Sequence, residues 1–155
     1  MSQQELLRHA VTVLDKLGID YMVIGSFASS MHGEPRMSHD IDLVVALTQE
    51  SAEKLFHAFS EPDFYLSIQA IHEALQHRTM FNLLQPASGD KVDFWILTDE
   101  PFDTSRFARK RAEESAGILL KTSTPEDTIL AKLRWTQQCG GSEKHFTDAL
   151  RVFEL

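Results

Sequence analysis

The chain has 155 residues and a formal net charge of −8, with 43% hydrophobic and 25% charged residues, which predicts a single globular domain with an ordinary core. This negative charge argues against a general nucleic-acid coat protein, because phosphate binding needs concentrated positive charge. The sequence contains neither an apolar run of about 18 residues nor a signal-peptide pattern, and its lone Cys139 cannot form an internal disulfide, so we expect a cytoplasmic protein without a membrane span.

The first predicted element is an amphipathic helix. Ser2 and Glu5 form a capping-box pattern at its start, leucine and alanine residues follow at helical spacing, and Gly18 supplies the stop. The apolar segment from Ile19 to Ile24 then predicts a short strand. The chain therefore opens with a helix that leads directly into a strand.

Two carboxylates on the next strand are the most informative feature of the sequence. A Gly25-Ser26 turn and a brief helix ending at Gly33 lead to this strand, which contains Asp40 and Asp42. Strand side chains alternate between faces, so both aspartates are expected on the same face. Adjacent like charges repel unless a cation lies between them, and an apolar strand has no structural use for such a pair. We therefore expect a divalent metal, Mg²⁺ (or Mn²⁺), which prefers oxygen ligands.

The middle of the chain predicts two helices followed by a hairpin. Thr48 begins a helix that ends at Pro62, and a short helix follows over Ser67 to His77. Met80 to Leu84 and Val92 to Leu97 are predicted strands, and their short link with glycine and proline favours antiparallel pairing.

A helix predicted over Asp103 to Glu114 contains a basic cluster. Its members are Arg106, Arg109, Lys110 and Arg111. They could contact an RNA backbone as an electrostatic patch. A solvated helix face paired to neighbouring acids is an equally good interpretation, and we leave both open.

The last part of the chain predicts a strand and two helices. Ile118 to Leu120 form the strand, and Thr124 is the N-cap of a helix that includes Trp135. A final helix begins at Ser142 and contains Phe146, and both aromatic residues are most simply interpreted as core. The order of elements predicts an α/β (α+β) fold with a mixed β-sheet packed by helices, not a regular doubly wound fold.

Asp93 is the third candidate ligand, because it lies in apolar company on the strand from Val92 to Leu97. If this strand neighbours the strand of Asp40 and Asp42, three carboxylates converge on one edge of the sheet. Such a trio can bind two metal ions about 4 Å apart. The Gly25-Ser26 turn at the start of a helix would favour a phosphate group nearby.

This combination resembles the polymerase-β-type nucleotidyltransferases, which have Gly-Ser before a short helix, Asp-x-Asp on a strand and a single Asp on a later strand. The segment Gly33 to Ser38, and Thr124 to Asp127 leading to Lys132, look most like the small bacterial group related to abortive-infection and toxin–antitoxin nucleotidyltransferases. The resemblance covers about Ile19 to Leu133.

The resemblance implies a polymerase-β-like nucleotidyltransferase fold in a single domain over residues 1–155, with a core of about 19–133 and C-terminal helices of about 124–155. One departure is that related proteins often continue with further helices around the acceptor pocket, whereas this chain ends at Leu155. We therefore expect either a large external acceptor or a reduced member of the family.

The resemblance also implies roles for individual residues. Asp40 and Asp42 would bind the metals and, through them, the nucleoside triphosphate, and Asp93 would bind the catalytic metal and help to deprotonate the acceptor. Gly25 and Ser26 would hold the β- and γ-phosphates. Arg36 and Lys132 would neutralise phosphate charge. The implied reaction transfers a nucleoside monophosphate to an acceptor and releases pyrophosphate.

The acceptor stays open at this point: RNA such as tRNA, a protein or a small molecule. One hypothesis is the toxin of a toxin–antitoxin pair, which would have an antitoxin as its partner. A second is a catalytically inactive nucleotidyltransferase-like module that binds nucleotide or regulates another protein. A third is a small-molecule adenylyltransferase of the aminoglycoside type.

Overall fold

The computed structural model describes residues 2–24, 40–59, 62–115 and 117–138. Within these ranges the chain forms five helices and a six-stranded mixed sheet, so the predicted fold class is confirmed. The Gly25-Ser26 turn, the brief helix ending at Gly33, Arg36 and the last helix from Ser142 lie outside the described residues. What was predicted for them stays a prediction.

The helices are α1 (Gln3–Leu17), α2 (Gln49–Ala58), α3 (Ile68–His77), α4 (Pro101–Ala108) and α5 (Pro125–Gln138). The strands are β1 (Tyr21–Ile24), β2 (Asp40–Val45), β3 (Met80–Gln85), β4 (Asp90–Ile96), β5 (Arg111–Ser115) and β6 (Ile118–Thr122). Among the described residues, no helix is long and apolar enough to span a bilayer.

The strand order in the sheet is β3-β4-β2-β1-β6-β5. The two outer pairs, β3 with β4 and β5 with β6, are antiparallel hairpins. The central strand β2 pairs parallel with β4 and antiparallel with β1, and β1 pairs parallel with β6. Two strands distant in sequence, β2 and β4, therefore lie side by side.

The helix ends follow the predicted signals. Ser2 and Glu5 form both bonds of the capping box at α1, and Gly18 ends this helix with a left-handed φ of 70°. Thr48 caps α2 with a second reciprocal pair to Ser51, since its side chain accepts a hydrogen bond from the Ser51 backbone N–H. Local sequence therefore determines these boundaries.

The core lies between one face of the sheet and helices α1, α2 and α3. On β2 the residues Ile41, Leu43 and Val45 are fully buried, and on β4 Val92 and Phe94 are fully buried. These alternating positions all belong to the same hydrophobic cluster as the apolar side chains of the three helices. The other face of these strands contains Asp42 and Asp93 among apolar side chains such as Met22 and Val44.

The helix predicted over Asp103 to Glu114 is wrong in its second half. Helix α4 ends at Ala108, and Arg111–Ser115 forms the edge strand β5, paired antiparallel with β6. The segment is charged and has no apolar alternation, so only its pairing with β6 makes it a strand. The interpretation of Trp135 as core is also wrong, because this side chain is 51% exposed.

Candidate active-site cleft

The strands that contain Asp42 and Asp93 are neighbours, and these two residues lie directly opposite each other in the parallel pairing of β2 with β4. Directly opposed residues of parallel strands share a face of the sheet. The residues that flank them in sequence, such as Leu43 and Phe94, are fully buried on the core side. Asp42 and Asp93 therefore lie on the face of the sheet away from the core.

A hydrogen bond between β2 and β4 supports this arrangement. The indole Nε1–H of Trp95 donates to Asp42 Oδ1 at 3.1 Å. Trp95 lies two residues after Asp93, on the same face of β4. The indole therefore orients the Asp42 carboxylate directly.

Asp93 is almost fully enclosed, since only 8% of the residue is exposed. Its Oδ1 lies 3.7 Å from the Lys91 ammonium, two residues earlier on the same strand. A buried carboxylate needs such a cation, or a bound metal, to offset its lost hydration. The oxygen donors of Asp42 and Asp93, in register on one face, suit a hard divalent cation.

Asp40 is the first residue of β2 and lies opposite Lys91. Its side chain is outside the described part of the structure. Among the described side chains, no group of three histidine, cysteine or acidic residues is arranged to bind a metal. The three-carboxylate site remains a prediction, with two of its members placed together by the fold.

A cleft of about 510 Å³ opens on this side of the sheet. Its lining includes Asp42 and Trp95 from the sheet, Arg106 from α4, and Lys132 and Trp135 from α5. Lys132 is only 9% exposed, although it is a lysine on a helix. Both tryptophans of the chain thus line one cleft, together with three cationic side chains, Arg78, Arg106 and Lys132.

Arg106 is buried in this cleft rather than displayed on a surface, since only 9% of the residue is exposed. Its Nε–H donates to Ser123 Oγ at 2.8 Å. Burial lowers the pKa of Arg106 to about 10, an effect that the charges of Asp127 and Asp103 partly oppose. The guanidinium still keeps its proton at neutral pH.

The other members of the predicted basic cluster are all paired to carboxylates, and two of those carboxylates lie far away in sequence. Arg109 donates twice to Asp127, at 2.9 and 2.7 Å, Lys110 lies 2.9 Å from Asp20, and Arg111 lies 2.9 Å from Glu113. This geometry favours the interpretation of a surface paired to acids over a patch for an RNA backbone.

Sequence reasoning missed three cleft residues: Trp95, Arg106 and Trp135. For Trp95 a signal was present, because period two places it on the same face as Asp93. For Arg106 and Trp135 the sequence contains no comparable signal, since their exposure depends on where α4 and α5 pack.

No protein-family model matches the chain, and no curated protein matches it at a significant level. Solved structures do match over most of its length. An antigenic nucleotidyltransferase-like protein from Paracoccidioides brasiliensis aligns with a TM-score of 0.57 and 21% identity over 93% of this chain and 71% of that one.

Two antibiotic-modifying enzymes have a similar fold. ANT(2'')-Ia, in complex with adenylyl-2''-tobramycin, aligns with a TM-score of 0.58 and 15% identity, covering 98% of this chain and 88% of that one. The lincosamide antibiotic adenylyltransferase LnuA, bound to lincomycin, aligns with a TM-score of 0.60 and 10% identity, covering 98% and 96%. The chain therefore has the same fold as these nucleotidyltransferase-like and adenylyltransferase structures.

Proposed function

We propose that the protein is a metal-dependent nucleotidyltransferase that transfers a nucleoside monophosphate from a nucleoside triphosphate to an acceptor hydroxyl. The observation on which this proposal depends is the pairing of Asp42 with Asp93 on the face of the sheet away from the core, where Asp42 lines a cleft. The fold shared with adenylyltransferases supports the same reaction class.

In this proposal Asp42 and Asp93, together with Asp40, would hold Mg²⁺ or Mn²⁺. Such a cation would neutralise phosphate charge and would make the acceptor hydroxyl more acidic. Trp95 keeps the Asp42 carboxylate oriented through its 3.1 Å hydrogen bond. Lys132 contributes positive charge to the cleft for the phosphates.

The proposed transfer forms one bond and breaks one. The acceptor oxygen attacks the α-phosphorus, the bond from that phosphorus to the β-phosphate oxygen breaks, and pyrophosphate leaves with the electron pair. The hydroxyl proton passes to the carboxylate of Asp93, which lies beside Asp42 in the sheet. Gly25 and Ser26 are proposed to hold the β- and γ-phosphates, with Arg36 as a further cationic neighbour.

A small molecule is the acceptor class that we favour. The cleft of about 510 Å³ is within the usual size range of small-molecule sites. Two proteins of the same fold are seen with an adenylylated aminoglycoside and with lincomycin. RNA or protein acceptors, as expected for a toxin with an antitoxin partner, are the competing hypotheses.

Transfer of a labelled nucleoside monophosphate to an acceptor tests the proposal. The protein is incubated with Mg²⁺ or Mn²⁺, each of the four nucleoside triphosphates labelled at the α-phosphate, and mixtures of small molecules, tRNA or cell protein. We expect labelled product with the wild type and none with Asp42→Asn or Asp93→Asn. Asp63→Asn, which removes the same charge at an exposed position, is the matched control and should keep full activity.

The outcomes separate the hypotheses. Nucleotide binding by calorimetry without any turnover would favour the inactive binding module. No binding of any nucleotide, or binding and transfer unaffected by Asp42→Asn, would contradict the proposal. Transfer to tRNA or protein, with growth arrest on expression that Asp42→Asn relieves, would favour the toxin role over a small-molecule acceptor.

A further inference from the structure

Arg106 keeps a buried positive charge that no carboxylate of the described residues neutralises through an ion pair. Its hydrogen bond goes to the neutral Ser123 hydroxyl, at 2.8 Å. The two carboxylates whose charges it senses have other partners: Asp127 accepts both bonds from Arg109, and Asp103 accepts from a threonine hydroxyl.

Such an arrangement is costly in the free protein. A buried charge loses its hydration and is normally offset by an opposite charge. The planar guanidinium binds phosphate and carboxylate oxygens through two parallel N–H groups, so one oxyanion can supply the missing charge. Because Arg106 lines the cleft, that oxyanion can come from a bound ligand.

The position of Arg106 relative to Asp42 indicates which kind of oxyanion fits. Its partner Ser123 follows β6 and donates its backbone N–H to Val23 of β1 at 3.1 Å. The next residue of β1, Ile24, lies opposite Asp42 of β2. Ser123 and Asp42 are thus two strand spacings apart, about 10 Å, a distance that a polyphosphate chain can bridge.

We propose that Arg106 is the binding residue for a phosphoryl oxyanion in this cleft, supplied by the terminal phosphates of the nucleotide or by a phosphate group on the acceptor. The inference rests on the proposed function for the identity of its ligand. It adds Arg106 of α4 to the residues already proposed to bind phosphate, which are Gly25, Ser26, Arg36 and Lys132.

Inorganic pyrophosphate without metal is the probe. Its binding is followed by calorimetry and by tryptophan fluorescence, which reports on the cleft because Trp95 and Trp135 are the two tryptophans of the chain. We expect Arg106→Gln to weaken binding about 10-fold or more, as for loss of a charged hydrogen-bonding partner. The affinity of Arg106→Lys should lie between those of the wild type and Arg106→Gln, because lysine keeps the charge but lacks the two parallel N–H donors.

Arg111→Gln is the matched control. It removes the same charge from an exposed strand residue that pairs with Glu113 outside the cleft, and it should leave the affinity within about twofold. Thermal unfolding checks that each variant is folded. If Arg106→Gln does not fold, Ser123→Ala serves instead, because it removes the partner of Nε but keeps the charge, and we expect about threefold weaker binding.

Competition with a non-hydrolysable nucleoside triphosphate distinguishes the two sources. Displacement of pyrophosphate by the nucleotide, with equal loss of both affinities in Arg106→Gln, assigns the subsite to the terminal phosphates. Arg106-dependent pyrophosphate binding that persists with saturating nucleotide assigns it to the acceptor. Equal pyrophosphate affinity of wild type and Arg106→Gln, or no binding to the wild type, would overturn the inference.

Failure of the proposed function would give a different pattern. If the protein transfers no nucleotide to any acceptor but still binds pyrophosphate in an Arg106-dependent way, the reaction assignment fails and the oxyanion subsite stands. The variant Asp42→Asn also distinguishes the reaction assignment from the oxyanion subsite, since it should abolish transfer and keep Arg106-dependent pyrophosphate binding.

Discussion

Two neighbouring residues of β2, Leu43 and Val44, test which face of the sheet is the core and which is the cleft. Leu43 is fully buried in the hydrophobic cluster, whereas Val44 is half-buried and lines the cleft beside Asp42. Truncation to alanine should therefore have different effects at the two positions. Leu43→Ala should lower the stability of the fold, whereas Val44→Ala should change ligand binding.

The magnitude follows from burial. A fully buried leucine truncated to alanine loses about 2–5 kcal/mol of unfolding free energy, because the transfer free energy and the cavity both count. For a chain of this size each kcal/mol lowers the melting temperature by about 2–4 °C, so we expect a decrease of about 4–20 °C for Leu43→Ala. Val44→Ala removes fewer atoms from a site open to solvent and should cost about 1 kcal/mol or less.

Urea and thermal unfolding, followed by circular dichroism, measure both variants against the wild type. Pyrophosphate and nucleotide affinities are measured at a temperature where both variants are folded. We expect wild-type affinity for Leu43→Ala and an altered affinity for Val44→Ala. Equal destabilisation of the two variants, or a larger loss for Val44→Ala, would show that the assignment of the faces is wrong.

Three further predictions concern separate features. Hydrogen bonds from Arg109 lower the pKa of Asp127 below its ordinary value, so the stability that this carboxylate contributes is complete above about pH 4 and is lost as the pH falls through the lowered pKa; urea unfolding of Asp127→Asn should lack this pH dependence. Trp95→Phe removes the hydrogen bond to Asp42 and should weaken Mn²⁺ binding about 10-fold, measured by calorimetry, with little change in melting temperature. Gly18→Ala places a Cβ in open space at a φ of 70°, so backbone strain alone should cost about 1 kcal/mol in urea unfolding; a neutral change would contradict the left-handed cap.

The elements that sequence predicts well are those determined locally. The capping boxes at Ser2 and Thr48, and the left-handed Gly18, satisfy or end a helix through bonds within a few residues. The hairpin of β3 and β4 belongs to the same class, because its short link leaves only antiparallel pairing. None of these features depends on distant parts of the chain.

The strand β5 shows where local prediction ends. Its segment, Arg111–Ser115, is charged and favours a helix at least as well as a strand. As an edge strand it buries no continuous apolar stripe, so period two is not visible in the sequence. The segment after α4 becomes the strand β5 because its backbone pairs with β6, and no side-chain pattern in the sequence indicates that pairing.

The interpretation of Trp135 on α5 as a core residue is wrong for a related reason. An amphipathic helix is expected to turn its apolar residues inward, yet Leu130, Leu133 and Trp135 are exposed by 39–51% while Thr128 and Lys132 are buried. The inward side of this helix borders a cleft in which charged side chains lie among apolar ones, and it does not pack on the hydrophobic core. The usual rule assigns the two sides correctly only for helices that pack on the core.

The core on the opposite face of the sheet determines the strand register that places Asp42 opposite Asp93. Shifting β2 by one residue against β4 would move Ile41, Leu43 and Val45 out of the core and turn Asp42 into it. Burying an unpaired carboxylate and exposing three fully buried side chains would both be costly, so this register is strongly favoured. Asp42 and Asp93 are therefore held opposite each other by residues that never contact a ligand, and cleft substitutions such as Trp95→Phe can change binding without disturbing their alignment.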